Sequence, residues 1–242
     1  MELVYEGKSK RVWRVGGLYH LEFKDEVTAG DGAVKAAAPG KGALAAELSA
    51  VLFAHLAARG VATHFVEYKP PNVLVAVPAE VAPVEVVVRF KAYGSQLKRM
   101  PRLKPLQPLS KPLVEFHLKD DALHDPLIYP QDAVEAGLLT WEELAYVEAA
   151  SLRAAEALRE LYDAAGCDLL DVKFEFGRTP RGLVLVDEIS GDTFRVLCRG
   201  EHLDKEYFRK TRDVEGLLRR YRELLEITKA SLGRAGGGAV RQ

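Results

Sequence analysis

Residues 169–188 constrain this 242-residue chain more tightly than any other stretch. Asp171-Val172-Lys173-Phe174-Glu175-Phe176 alternates ionisable and apolar side chains, and a period of two is that of a β-strand. A strand over Leu169–Phe176 therefore puts Asp171, Lys173 and Glu175 on one face, with Val172, Phe174 and Phe176 on the other. Three ionisable groups in a row beside a large apolar face are costly to bury unless they are paired or metal-bound. Gly-Arg-Thr-Pro-Arg-Gly then turns the chain, and a second strand, Leu183–Glu188, ends its apolar run in Asp187-Glu188. If Phe176 pairs with an even-numbered residue, Asp187 shares the face of Glu175; with an odd-numbered one, Glu188 does. Either register brings together two carboxylates of adjacent strands, a donor pair suited to Mg²⁺ on nucleotide phosphates.

Around this hairpin the pattern is mixed. Lys10–Val15 and Leu18–Phe23 flank Gly16-Gly17, a two-residue hairpin signal. Leu44–Arg59 carries an apolar stripe at helical spacing and stops at Gly60. Thr63–Tyr68 and Val73–Val77 read as strands, and the link between Pro78 and Pro83 as a hinge. Val84–Phe90 is a further strand; Pro101–Pro112, with four prolines in twelve residues, is expected to be irregular. Thr140 and Glu143 form a capping box that opens a helix over Trp141–Ala165. Asp213–Leu232 is an amphipathic helix, with a stripe suited to core or interface, and Gly236-Gly237-Gly238 leads into a tail expected to fray. Early strands followed by mixed helices and hairpins predict an α+β fold in two lobes, residues 1–82 and 83–242.

Charge and composition exclude several classes. With 34 Lys+Arg against 35 Asp+Glu the formal charge is −1, which gives no whole-protein field for nucleic acid or anionic lipid. The longest run without Asp, Glu, Lys or Arg, Leu48–Ala58, has eleven residues, short of the roughly 20 that span a membrane. Met1-Glu2-Leu3 does not read as the start of a signal peptide. Two cysteines, Cys167 and Cys198, are too few for a disulfide framework or a four-thiolate zinc site and read as buried or incidental thiols. One asparagine, four glutamines and 19 arginines suggest a thermophilic source. The expectation is a soluble, cytoplasmic, reduced protein without nucleic-acid or membrane partners.

Three further segments carry chemistry. Tyr5-Glu6-Gly7-Lys8-Ser9-Lys10 places a glycine and two lysines between strands, so that backbone and charge reach a phosphate together. Glu85 and Arg89 share a strand face that runs into Gly94-Ser95, whose amides and hydroxyl suit a phosphate. His117–Asp125 packs six charged or histidine side chains into nine residues, but His117 and His124 have no third partner in pattern for zinc.

Taken in order, YEGKSK, TAGDG, VEVVVR with GS, KDDALHDP, LLDVKFEFG, VDEISGDTFR and LDKEYFR resemble the blocks of the SAICAR synthetases, ligases of purine biosynthesis. They span residues 5–209. The resemblance implies a two-lobed α+β fold with an antiparallel-sheet N-terminal lobe, a kinase- or ATP-grasp-like nucleotide cleft and a larger mixed C-terminal lobe. It implies joining of L-aspartate to the carboxylate of carboxyaminoimidazole ribonucleotide, with ATP split to ADP and phosphate and Mg²⁺ required. Carried over by motif, Gly7, Lys8, Ser9 and Lys10 cover the ATP phosphates, the backbone near Val81 holds adenine, and Lys119 points into the same cleft. Glu175 and Asp187 become the Mg²⁺ ligands, and Asp171 and Lys173 meet the imidazole amine and carboxylate. Arg89, Ser95 and Arg195 bind the ribose phosphate, with Glu85, Asp125 and Asp204 nearby. Arg99 and Arg209 are candidates for the aspartate carboxylates, and family habit favours a homodimer. Phe90, Gly191 and Leu197-Cys198 depart from the usual Asn, Pro and Trp-Asp, all outside the ionisable set.

Overall fold

The structure, a computed structural model, describes residues 1–30 and 32–237. The first third runs β1 (Glu2–Glu6), β2 (Lys10–Val15), β3 (Leu18–Phe23), β4 (Glu26–Ala29), β5 (Val34–Ala37), α1 (Lys41–Ala58), β6 (Phe65–Lys69) and β7 (Val73–Ala76). Five of these strands form an antiparallel sheet in the order β1-β2-β3-β7-β6, and β4 pairs β5 separately. The β2–β3 hairpin turns on Gly16-Gly17, both at positive φ, which a tight two-residue loop demands. By length and composition α1 is the one helix of the described residues apolar enough to cross a membrane. Leu48, Leu52, Phe53 and Leu56 nevertheless lie in the protein core, and Phe53 stacks on Phe65 of β6.

The remainder runs β8 (Glu80–Lys91), α2 (Ser95–Arg99), β9 (Pro108–Leu118), β10 (Leu127–Ile128), α3 (Pro130–Glu135), α4 (Trp141–Asp163), β11 (Cys167–Thr179), β12 (Gly182–Val186), β13 (Phe194–Cys198), β14 (Glu201–His202), α5 (Glu206–Thr211) and α6 (Val214–Gly237). The second sheet follows the path β10-β9-β8-β11-β13-β14, with β12 also on β11. β11 is its axis. One edge carries β8; the other is divided between β13, over Cys167–Val172, and β12, over Glu175–Thr179. The connection from β12 to β13 enters at the division, where the Lys173 N–H donates to the Thr193 carbonyl at 2.8 Å. The apolar face of β11 belongs to the main core with α4, and Val172, Phe174 and Phe176 are at most 1% exposed. The expected Thr140–Glu143 capping box opens α4. Backbone bonds tie the two sheets together: His64 N–H to the Leu185 carbonyl and Leu185 N–H to the Ala62 carbonyl, both 2.9 Å.

The two-lobed α+β expectation agrees with this architecture, and four local readings are corrected. Only residues 77–79 separate β7 from β8, so the link to Pro83 is strand rather than hinge. Pro83 is tolerated there because β9 pairing starts at Val84 and β11 bulges between Glu175 and Gly177. Pro108 and Pro112 lie in β9, not in an irregular loop, in a stretch that β10 does not reach and that includes a bulge against β8. The α6 stripe is core, with Leu217, Tyr221 and Leu224 at most 1% exposed, and the helix continues through Gly236 and Gly237. The tail from Gly238 onward lies outside the described residues.

The last correction concerns the cysteines. Cys167 and Cys198 are directly opposed on β11 and β13, with Cα atoms 4.3 Å apart, and form a disulfide. Two cysteines 31 residues apart gave no sign of this, because strand register rather than spacing makes them neighbours. A loop of that size is worth about 3–4 kcal/mol by the chain-entropy estimate. Thiol titration in denaturant should find no free thiol before reduction and two after it. Reduction should lower the urea midpoint by a corresponding amount; two free thiols at the outset would contradict the pairing.

Candidate active site

Along the polar face of β11, Asp171, Lys173 and Glu175 stand at intervals of roughly 7 Å, two residues of extended chain. Each is met by partners from neighbouring strands. Asp171 is paired with Arg89 of β8 and Arg195 of β13, and both guanidiniums donate to its Oδ2 at 2.7 Å. The other side of Arg89 meets Glu115 of β9 at 2.9 Å, where Arg99 also donates, and Ser95 Oγ accepts from Arg89 at 3.1 Å. Lys173 Nζ donates to Glu85 at 2.7 Å and Glu175 at 2.5 Å. Lys119 adds a contact to Glu175 at 3.1 Å and one to Glu85 at 3.5 Å.

These pairs set the ionisation states. Burial pulls the Lys173 pKa down, but Glu175, Glu85 and Asp187 outweigh it and hold the ammonium well above the ordinary lysine range. Burial alone raises the Glu175 pKa; Lys173 and Lys119 overcome that and hold it far below the carboxylate range. Lys173 and Glu175 are therefore held charged side by side on this face.

The second carboxylate pair comes from the β12–β13 connection. Phe176 pairs with Leu185, the odd register, which by alternation alone directs Glu188 toward the Glu175 face. β12 ends at Val186, however, and Asp187 adopts φ 68°, so alternation lapses and both carboxylates reach Lys10. Its Nζ lies 2.8 Å from Asp187 and 2.6 Å from Glu188, and Ser190 Oγ donates to Glu188 at 2.5 Å. An aspartate held in the left-handed region is a strain that surrounding structure must sustain, and such positions gather at functional sites.

Two adjoining clefts result. The larger, about 610 Å³, lies between the sheets. Gly7, Lys8, Ser9 and Lys10 form one wall, and Val81, Lys119, Lys173, Glu175 and Asp187 face them. Gly7 serves a tight turn, its N–H bonded to the Lys10 carbonyl at 2.9 Å, and the Tyr5 ring would stand 2.9 Å from a side chain there. The smaller cleft, about 160 Å³, is lined by Arg89, Asp171, Arg195 and Arg209 among others. Lys173, Asp192 and Thr193 line both.

Four expected residues line neither cleft, Glu85, Ser95, Asp125 and Asp204. Asp204 is fully buried, accepting from the Val196 and Glu206 amides and from His202; it anchors the turn into α5. Asp125 accepts the Asp120 amide and shapes its loop. Conversely, sequence reasoning gave no role to His64, Lys41, Asp192 and Lys205, which line the larger cleft. Lys41 carried one readable signal: a lysine opening an apolar helix opposes the helix dipole and needs a partner, which is Asp192.

A family model described as SAICAR synthetase matches residues 3–226. A Pyrobaculum aerophilum protein named phosphoribosylaminoimidazole-succinocarboxamide synthase is 71% identical over 234 residues, 97% of this chain and all of the relative. A Thermotoga maritima protein of the same name is 41% identical over 93% of this chain and 97% of its own. Both genera are thermophilic, in accord with the amide-poor composition. Among solved structures, a SAICAR synthetase in complex with ADP superposes with a TM-score of 0.89 at 37% identity, covering 93% of this chain and 97% of that one. The corresponding synthase from Ehrlichia chaffeensis also gives 0.89, at 31% identity over 95% of this chain and 99% of its own.

The pairing makes a stability prediction. Arg89→Met strips two buried carboxylates, Asp171 and Glu115, of a shared cation, and should cost about 3–5 kcal/mol in urea unfolding. Arg99→Met leaves Arg89 on Glu115 and should cost less than half as much. Equal losses would mean that Arg89 is not the hub.

Proposed function

The chain belongs to the SAICAR synthetase family, and on that premise we propose that its larger cleft takes ATP and its smaller one the ribonucleotide substrate. The activity is that of an ATP-dependent carbon–nitrogen ligase of purine biosynthesis, phosphoribosylaminoimidazole-succinocarboxamide synthase. It joins L-aspartate to the carboxylate of 5-amino-1-(5-phosphoribosyl)imidazole-4-carboxylate, giving the succinocarboxamide, ADP and phosphate. One observation carries the division of labour: β11 sets Asp171, Lys173 and Glu175 in line across both clefts, with Lys173 common to them.

In this reading Gly7, Lys8, Ser9 and Lys10 cover the ATP phosphates. Adenine lies at the backbone near Val81, where β8 is paired with β11 on one edge and β9 has not yet begun on the other. Arg89, Arg195 and Ser95 receive the ribose phosphate, and Glu85 holds Lys173 in place. Glu175 and Asp187 are the pair that would hold Mg²⁺. The donors are hard carboxylates, and among the described residues no group of three or more potential ligands gathers. That fits a cation completed by phosphate oxygens rather than caged by protein. When bound, the ion neutralises phosphate charge and orients the terminal phosphoryl group.

A carboxylate is a poor electrophile because its leaving group is an oxide. Attack of the substrate carboxylate oxygen on the γ-phosphorus breaks the bond to ADP and leaves an acyl phosphate. The aspartate amine then attacks the acyl carbon, phosphate departs and the nitrogen gives up a proton. Lys10, Lys119 and Lys173 offset the repulsion between γ-phosphate and carboxylate in the first step. Holding the acyl phosphate between the sheets favours the amine over water in the second. A phosphotransferase of similar layout would need a free base aspartate, and Asp171 is tied by two guanidiniums. The enzyme is expected to be cytoplasmic and homodimeric, which light scattering checks.

ADP formation should require the ribonucleotide, L-aspartate and Mg·ATP together, with a succinocarboxamide product. Lys173→Met and Asp187→Asn should each lower turnover by at least about 10²-fold, the scale of one electrostatic donor. ADP release that ignores aspartate would point to phosphotransfer, and near wild-type rates in either variant would sink the residue assignment.

A further inference from the structure

Arg195 serves a phosphate in the smaller cleft best if its guanidinium plane is set in advance, because a rigid fork of donors on a flexible stem loses affinity for the rotamer freedom it gives up on binding. It donates through Nε to Glu206 at 3.3 Å and through Nη1 to Asp171 at 2.7 Å, and neither bond uses Nη2. Three further residues surround it, Tyr93, His202 and Asp204, and none of them lines a cleft.

Tyr93 lies in the turn from β8 to α2. Its ring centroid is 5.3 Å from the Arg195 guanidinium carbon, within cation–π range, and Lys210 of α5 stands 5.4 Å from the same centroid. The ring is itself tethered. Tyr93 OH and His202 Nε2 of β14 are 3.0 Å apart, and His202 Nδ1 lies 3.0 Å from Asp204 Oδ2. A carboxylate only accepts, so these partners assign the Nδ1 proton to the Asp204 bond, and in the neutral ring Nε2 accepts from the Tyr93 hydroxyl. Asp204 is fully buried and also accepts the Val196 amide at 2.8 Å and the Glu206 amide at 2.7 Å. Every branch of this relay ends at Arg195: Val196 follows it on β13, Glu206 carries the carboxylate on its Nε, and Tyr93 packs on its guanidinium. Beside Tyr93, Gly94 adopts φ 60° and ψ −130°, a mirror-image extended conformation that glycine alone adopts freely. A side chain there would stand 3.0 Å from Nη1 and Nη2 of Arg195. Ser95 then accepts from Arg89 at 3.1 Å, so three consecutive residues shape the surroundings of both arginines of the smaller cleft.

We propose that Tyr93 and His202 are positioning residues for Arg195, acting in series: Asp204 fixes the His202 ring, His202 fixes the Tyr93 hydroxyl, and the Tyr93 ring holds the guanidinium plane with Nη2 left for the ribose phosphate. The chemistry suits the task. An aromatic face attracts a cation without taking its N–H groups, so it orients the fork and leaves donors for the ligand. A further carboxylate in its place would compete with phosphate for those donors. Donation from the phenol hydroxyl into a chain that ends in a carboxylate also polarises the ring toward negative charge, which strengthens its hold on a cation. Asp204 thereby serves the smaller cleft without lining it.

This inference rests on the ligase reading, and steady-state kinetics separate the two. Tyr93→Leu should raise KM for the ribonucleotide by about 3- to 30-fold, the range of one cation–π contact, with KM for ATP and for L-aspartate kept within about twofold. Tyr93→Phe keeps the ring and loses only the tether, so the same KM should rise by about 2- to 5-fold, and His202→Leu should fall in that range. Adding His202→Leu to Tyr93→Phe should cost less than about twofold more, because both break one bond. In an Arg195→Met background Tyr93→Leu should likewise add less than about twofold, which a general loss of packing would not reproduce. A ribonucleotide KM unchanged in Tyr93→Leu, or in Tyr93→Phe where the leucine variant does not fold, would overturn the assignment. So would equal rises in all three KM values, or a full effect of Tyr93→Leu without Arg195. Wild-type enzyme that releases ADP without the ribonucleotide would overturn the ligase reading instead.

Discussion

The structure depends on how the polar face of β11 is kept charged inside a fold. Burying Asp171, Lys173 and Glu175 carries a desolvation cost that pairing alone seldom returns in full. Their partners are close at hand in the sheet: Arg89 and Arg195 lie directly beside Asp171, and Glu85, opposite Glu175 in the ladder, shares Lys173 with it, so register supplies the compensation without long side-chain searches. Stability comes from the opposite face, where Val172, Phe174 and Phe176 are sealed against the core. One strand thus anchors the core with one set of residues and the reaction site with the next. A one-residue slip would exchange the two sets, and β8, with pairs from Arg89 to Glu80 along the strand, makes that slip expensive.

The split edge of β11 gives the site its depth. A single partner strand along that edge would have placed an unbroken ladder opposite Lys173. Instead β12 stops, β13 starts, and the seven residues between them bring Asp187, Glu188, Asp192 and Thr193 to the clefts. Loops on rigid scaffolds are the usual place for reactive groups, and this one is pinned at both ends by sheet. The left-handed Asp187 lets consecutive carboxylates share Lys10, which strict alternation forbids.

Most of this was legible where local chemistry fixes local form. The Gly16-Gly17 hairpin, the Thr140 capping box and the two faces of residues 171–176 follow from period and turn residues alone. The misses share a cause, since each depends on which segments become neighbours. Cys167 meets Cys198 through strand register, Lys41 meets Asp192 across 151 residues, and Asp204 is drawn under the α5 turn away from both clefts. Pro83, Pro108 and Pro112 looked like breakers because a proline signals a missing donor, and bulges and unpaired edges that forgive it are set by topology. Motif order named residues that the structure gathers around two clefts, but could not say which of its carboxylates face a cleft and which hold the scaffold.

Charge compensation links the empty and loaded states. Lys10, Lys119 and Lys173 are each committed to carboxylates that the proposed chemistry assigns elsewhere, Glu175 and Asp187 to a cation. Mg²⁺ and polyphosphate arriving together would exchange partners: carboxylates would pass to the cation and lysines to phosphate oxygens. Neither charged group has to be stranded at any stage, which keeps the cost of preorganisation low. Lys205 stands outside that exchange, because Asp192, 3.6 Å away, is already held by Lys41 and Tyr221.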